Sequence, residues 1–333
     1  MEHSEEHNLD HYLETYLILK NKLPPSFKIY TYDKSDLFVY YHNLYEFIYN
    51  DLKNNWNDFG INPCYFYFIE EGLHEGKQVK AYAENGKDFN VIGINYRIFE
   101  SLKLFIDSYF RKLDDNNSKV VNIEQFIDLS ANDLVYQTSI QFIYFHELGH
   151  IIQNSNVPCL ISEENKVNIS RLNIIKSHVM ETDSDIFSAN LVADHIIGFW
   201  NRQDQSECFV ETLEDIVSLC LVGIFLTFDY LSNGIRPFYL LETTHPHEVC
   251  RITLISGIIN GKINMIKSVE VDRDKVTRNF CRILLEFKKD TPINKYFGAL
   301  SQFGDEMYLY SKFIRDEGHK YPNLTSFKME KRR

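Results

Sequence analysis

The protein is 333 residues long, with 44% of them hydrophobic and 25% charged, values close to those of ordinary globular proteins and far from disordered, collagen-like or membrane-embedded sequences. Lys and Arg number 35 against 47 Asp and Glu, a formal charge of -12 that repels phosphate backbones and anionic lipid unless basic residues cluster. The only basic run is the tail carrying Lys328, Lys331, Arg332 and Arg333, so neither nucleic acid nor membrane is expected as a partner.

In sequence order, the acidic, polar start MEHSEEHNLDHYLE lacks the basic and apolar regions of a signal peptide. Residues 10–56 read as mostly helical with a break at Pro24-Pro25. An aromatic run from Cys64 to Glu70 follows, then Gln78–Ala83 and Phe89–Asn95 on either side of Asn85-Gly86, a strong short hairpin signal. These segments predict a small antiparallel sheet whose hairpin, at 78–95, offers an edge strand to an extended substrate. From there on the apolar spacing is helical, over about 97–112, 131–154, 171–201, 209–231, 246–260, 268–289 and 294–316. The apolar stretch Ile216–Phe228 is too short to span a bilayer and reads as a buried core helix. The expected fold class is α+β, a small N-terminal sheet followed by a mainly helical body. Expected boundaries are 1–125 for an N-terminal lobe, 126–262 for a catalytic core and 263–333 for a C-terminal helical extension. Fourteen glycines without a G-x-G-x-x-G or P-loop pattern argue against nucleotide binding. Six scattered cysteines without a C-x-x-C pair fit a reducing, cytoplasmic setting.

The chemistry concentrates at His146-Glu147-Leu148-Gly149-His150, inside the helical run QFIYFHELGHIIQ. Histidines four residues apart lie one turn apart on one helical face and can share a Zn²⁺, with the intervening glutamate directed at a water on the ion. Ile140, Phe142, Ile143, Phe145, Leu148, Ile151 and Ile152 surround these groups. Burial without partners costs several kcal/mol per polar group, on the order of 2–7, and a metal supplies the compensation. A closed structural site would be expected to use cysteines, and none is near. Gln153 and Asn156 stand where a metzincin would place Gly and His. The third ligand is sought in Glu181-Thr182-Asp183-Ser184-Asp185. Glu181 and Asp185 share a helix face, one available to the metal and the other to the free N–H of a ligating histidine, while Asp183 is turned about 200° away. His178 and His195 read as core or surface histidines, and His3, His7 and His11 as a polar terminal row.

The pair H-E-x-x-H and E-x-x-x-D on a second helix resembles the gluzincin zinc peptidases, and Thr244-His245-Pro246 with Arg251-Ile252 is similar to the pattern of HtpX-like and CAAX-protease-like members. Those relatives are mostly membrane proteins. The Lit-type phage-exclusion peptidases are a soluble group of similar length whose H-E-x-x-H also falls near the middle of the sequence. The resemblance implies a zincin-like body, a zinc cofactor held by His146, His150 and Glu181, Glu147 as general base and Asp185 behind the ligands. His245 is expected to donate to the oxyanion or to serve as a cap. Arg251 is expected either to hold a substrate carboxylate or to pair with an acidic neighbour. The implied activity is hydrolysis of a specific intracellular protein or peptide, with an activating partner or a narrow substrate choice as restraint, in the setting of phage defence. Two alternatives are a repressor-cleaving protease of the ImmA/IrrE type and an interaction protein that keeps zinc for stability.

Overall fold

The computed structural model describes residues 11–17, 28–71, 73–74, 77–78, 81–113, 118–153, 171–203, 210–232, 237–266, 270–287, 292–321 and 324–325. The protein divides into two compact units. One comprises Met1–Ser101, Glu147–Asn165 and Thr325–Arg333, and the other Leu102–His146 and Lys166–Leu324. Parts of the expected hairpin, at 79–80, fall outside the described residues, as do His3 and His7.

The first unit holds a helix described over 11–17 (α1), strand β1 (Lys28–Ile29), helix α2 (Phe38–Phe59), and strands β2 (Cys64–Glu71), β3 (Leu73–His74), β4 (Lys77–Gln78), β5 (Ala81–Asn85) and β6 (Asn90–Asn95). Strand order in the main sheet is β1-β2-β6-β5, with β3 and β4 forming a separate ladder. The hairpin is present, since β5 and β6 are antiparallel with Asn85 opposite Asn90. Gly86 opens its turn because a Cβ there would sit 2.3 Å from the Phe89 carbonyl oxygen. The sheet is nevertheless mixed, which corrects the antiparallel expectation. Once β5 has folded back on β6, it is β6 that lies next to β2, and the two run parallel from Cys64–Asn90 to Ile69–Asn95. All six residues of β6 are buried, the signature of a central strand covered on both faces. Strand β1 also falls within a stretch expected to be helical. Tyrosines dominate this core: Tyr12 donates to the Phe68 carbonyl oxygen at 3.2 Å, and Tyr41 donates to Glu100 Oε1 at 3.0 Å while stacking on Phe99.

Beyond the sheet come α3 (Tyr96–Phe110), α4 (Lys119–Glu124), α5 (Ala131–Gln153), α6 (Arg171–Arg202), α7 (Val210–Leu231), α8 (Glu248–Ile266), α9 (Arg273–Glu286) and α10 (Pro292–Gly318). Periodicity anticipates all of them but the short α4. In the second unit α7 is the spine, buried continuously from Thr212 to Asp229, as a helix apolar on every side must be. Two of its buried acids pair with lysines: Lys275 lies 2.7 Å from Glu214, and Lys119 lies 2.6 Å from Asp215. Among the described residues α8, not α7, is the helix long and apolar enough to cross a membrane, judged by length and composition alone.

Gly223 lets α5 and α7 approach closely. A Cβ there would stand 2.6 Å from the Val135 carbonyl oxygen, and Ser139 Oγ already donates to the Gly223 carbonyl oxygen at 2.9 Å. Gly223→Ala is therefore expected to destabilise the fold by about 1–3 kcal/mol through overpacking. Chemical denaturation of the variant checks this, and an unchanged midpoint would show that the two helices can part without cost.

Candidate metal centre

Helix α5 places His146 and His150 one turn apart, at 4% and 0% exposure, and α6 supplies Glu181 at 1%. Their ligand atoms all lie within 4.8 Å of one another, so this buried cluster could hold a metal ion. His146 Nε2 is 3.3 Å from Glu181 Oε2. That pair is close enough to share one ion, and His150 lies within the same reach.

Each histidine has a side-chain oxygen beside its other nitrogen. His146 Nδ1 lies 3.0 Å from Asp185 Oδ1, and His150 Nδ1 lies 3.1 Å from Gln153 Oε1. For His150 an oxygen acceptor on Nδ1 places the proton there and leaves the Nε2 lone pair for an ion. The pairing of Asp185 with a ligating histidine is the arrangement expected from its shared face with Glu181. Sequence reasoning misses the role of Gln153. Its signal is a polar residue three positions beyond His150 on a helix whose other neighbours are apolar.

Arg251, on α8, does not stand open to a substrate. Its Nε and Nη2 reach Asp185 Oδ2 and Oδ1 at 2.7 Å each, and its guanidinium lies 4.3 Å from the centre of the Phe228 ring. Of the two roles expected for it, the geometry gives the pairing with an acid. Helices α6 and α8 pack along one another, which carries the bidentate pair into the interior. Burial pushes the Asp185 carboxyl up, but Arg251 and His146 outweigh it and hold the group below its usual range. For His146, burial acts downward, yet Asp185 and Glu181 raise the ring to about 9. An entering cation therefore displaces a proton, so binding weakens as pH falls.

Glu147 is 1% exposed and follows His146 on the same helix. His245 lies in the non-helical segment before α8, with Nε2 3.7 Å from Glu181 Oε1. Pro246, which suits the first position of a helix, stands two residues ahead of α8, and His247 caps that helix instead, its Nδ1 accepting from the Val249 N–H at 3.2 Å. Asp183 is buried at 5% but lies outside the ligand cluster, in keeping with its expected turn away from Glu181.

His178, expected to be a bland core residue, anchors the His245 segment. Its Nε2–H donates to the Thr243 carbonyl oxygen at 2.7 Å, and its Nδ1 accepts from the Tyr310 hydroxyl at 2.5 Å. Thr243 Oγ1 in turn donates to the His245 carbonyl oxygen at 2.7 Å. Burial first of all holds the His178 ring down to about 4, so it stays neutral at physiological pH. The unfolded protein takes up this proton below about 6.5, the folded one only near 4, so stability falls as pH drops through that window. The expected loss is about 3 kcal/mol. Denaturation series at pH 7 and pH 4 should show His178→Gln losing less on acidification than the parent, and equal losses would refute the assignment.

Comparison with protein-family profiles, with curated proteins and with solved structures finds no match.

Proposed function

We propose that this protein is a zinc-dependent endopeptidase acting on a protein or peptide substrate, in the cytoplasm and in the setting of phage defence. The observation carrying the reading is the buried set of His146, His150 and Glu181, with Asp185 and Gln153 beside the two imidazoles. Two nitrogens and a carboxylate suit zinc, and three protein ligands leave a position open for chemistry, where a structural site would be closed.

When bound, zinc lowers the pKa of a water toward ~7 and polarises a carbonyl oxygen. The protein's own residues supply the remainder. Glu147 accepts a proton from the attacking water as the new C–O bond forms, then delivers it to the amine nitrogen as the C–N bond breaks. His245, held in place by Thr243 and His178, donates to the developing oxyanion. Asp185, neutralised by Arg251, keeps the His146 ring turned toward the ion.

The test is proteome-wide labelling of N-termini in cells producing the parent protein or Glu147→Gln, with and without phage challenge. Peptide ends that arise only with the parent identify the substrate. Their absence under every condition, in a protein that binds zinc, would replace this reading with that of a zinc-stabilised interaction protein.

A further inference from the structure

The first unit contains a cavity of about 250 Å³ between α1, α2 and β2. Helix α2 presents one stripe to it, Tyr45, Tyr49, Leu52 and Trp56, at spacings of four, three and four residues, and β2 adds Tyr65 and Tyr67. Tyr45, Leu52 and Tyr67 are buried and make the floor, while Lys53 and Pro63 are exposed and mark the rim. A packing fault would be enclosed and dry. This cavity instead grades from a ring-lined floor to a charged edge, as small-molecule sites do.

Its charge is one-sided. Although acids outnumber bases along the sequence, no carboxylate lines the cavity among the described residues, whereas Lys53 does, its Nζ 5.5 Å from the centre of the Tyr49 ring. The His11 ring meets the same tyrosine edge-on at 4.7 Å. A site for a cationic ligand would not place a lysine at its edge. Burial keeps the Cys64 thiol in the wall protonated, so that residue contributes apolar surface and no nucleophile.

We propose that this cavity binds a small planar aromatic carboxylate, its ring against the tyrosine and tryptophan faces and its carboxylate at Lys53. The volume, below the usual ~300–1,000 Å³ of drug-sized sites, admits one or two fused rings and excludes a nucleotide. The site is separate from the proposed peptidase chemistry and stands or falls without it.

Calorimetry on the full-length protein with indole-3-carboxylate, neutral indole and cationic tryptamine tests the proposal. The carboxylate is expected to bind most tightly and tryptamine most weakly. Lys53→Met, at an exposed position, should weaken the carboxylate about fivefold and leave indole unchanged. Thr15→Phe, which fills the cavity, should abolish binding of both, with circular dichroism confirming the fold. The assignment is overturned by no detectable heat at millimolar ligand, by tryptamine binding as tightly as the carboxylate, or by full carboxylate affinity in Lys53→Met or Thr15→Phe.

Discussion

Arg251→Met is expected to cost about 3–5 kcal/mol of folding stability, because it strips a fully buried carboxylate of its bidentate partner. Asp185 is 0% exposed, and both of its oxygens are engaged by the guanidinium at 2.7 Å. Once the cation is gone, His146 remains close to that charge. Melting of the metal-free protein should shift downward by about 10 °C. A second substitution separates the electrostatic role from the packing role. Asp185→Leu added to Arg251→Met replaces the ion pair by apolar volume and should recover most of the lost stability. It should not recover the metal site. With no acceptor on Nδ1, the His146 ring loses its fixed orientation, and zinc affinity should fall about 10–100-fold in a competition titration. A melting temperature for Arg251→Met within a degree of the parent would mean that water reaches Asp185 and that the pair is incidental.

For Glu147→Gln the expected result is zinc bound at the parental stoichiometry with hydrolysis reduced by a factor of about 10²–10⁴. Glutamine keeps the size of the side chain, so the buried position at 1% exposure stays filled, but it cannot take up a proton at neutral pH. Plasma mass spectrometry of the purified protein gives the metal content, and mass spectrometry of an unstructured peptide mixture gives the cleavage rate. Cleavage at the parental rate in zinc-loaded Glu147→Gln would remove Glu147 from the mechanism and leave the peptidase reading in need of another base. Loss of zinc together with activity would instead make Glu147 part of the metal-binding set.

The features legible in the sequence are those written at helical spacing. His146 with His150, and Glu181 with Asp185, each lie four residues apart, so a single turn fixes which side chains stand together whatever the remaining residues do. Apolar periodicity locates the long helices for the same reason. Pairings between distant segments leave no such trace. That β2 runs parallel to β6 depends on the path of the backbone through the intervening strands, and no residue in either strand encodes it. Arg251 reaches Asp185 across 66 positions, and Tyr310 reaches His178 across 132. Gln153 lies close enough to find. A buried amide one turn beyond a ligating histidine is a natural acceptor for that ring, but in the sequence the position registers only as a departure from another family's pattern.

Under the proposed function, the bond from Tyr310 to His178 ties α10 to the chemistry at the metal centre. A version shortened to end before Pro292 would retain His146, His150, Glu181, Glu147 and Arg251, and would pass any inventory of the residues needed for hydrolysis. It would nevertheless lack the hydroxyl that fixes which nitrogen of His178 carries the proton, and with it the hold on the backbone at Thr243 from which His245 extends. Removing α10 would thus loosen the segment that carries His245 and, because α10 also packs on α6, would disturb the helix that carries Glu181.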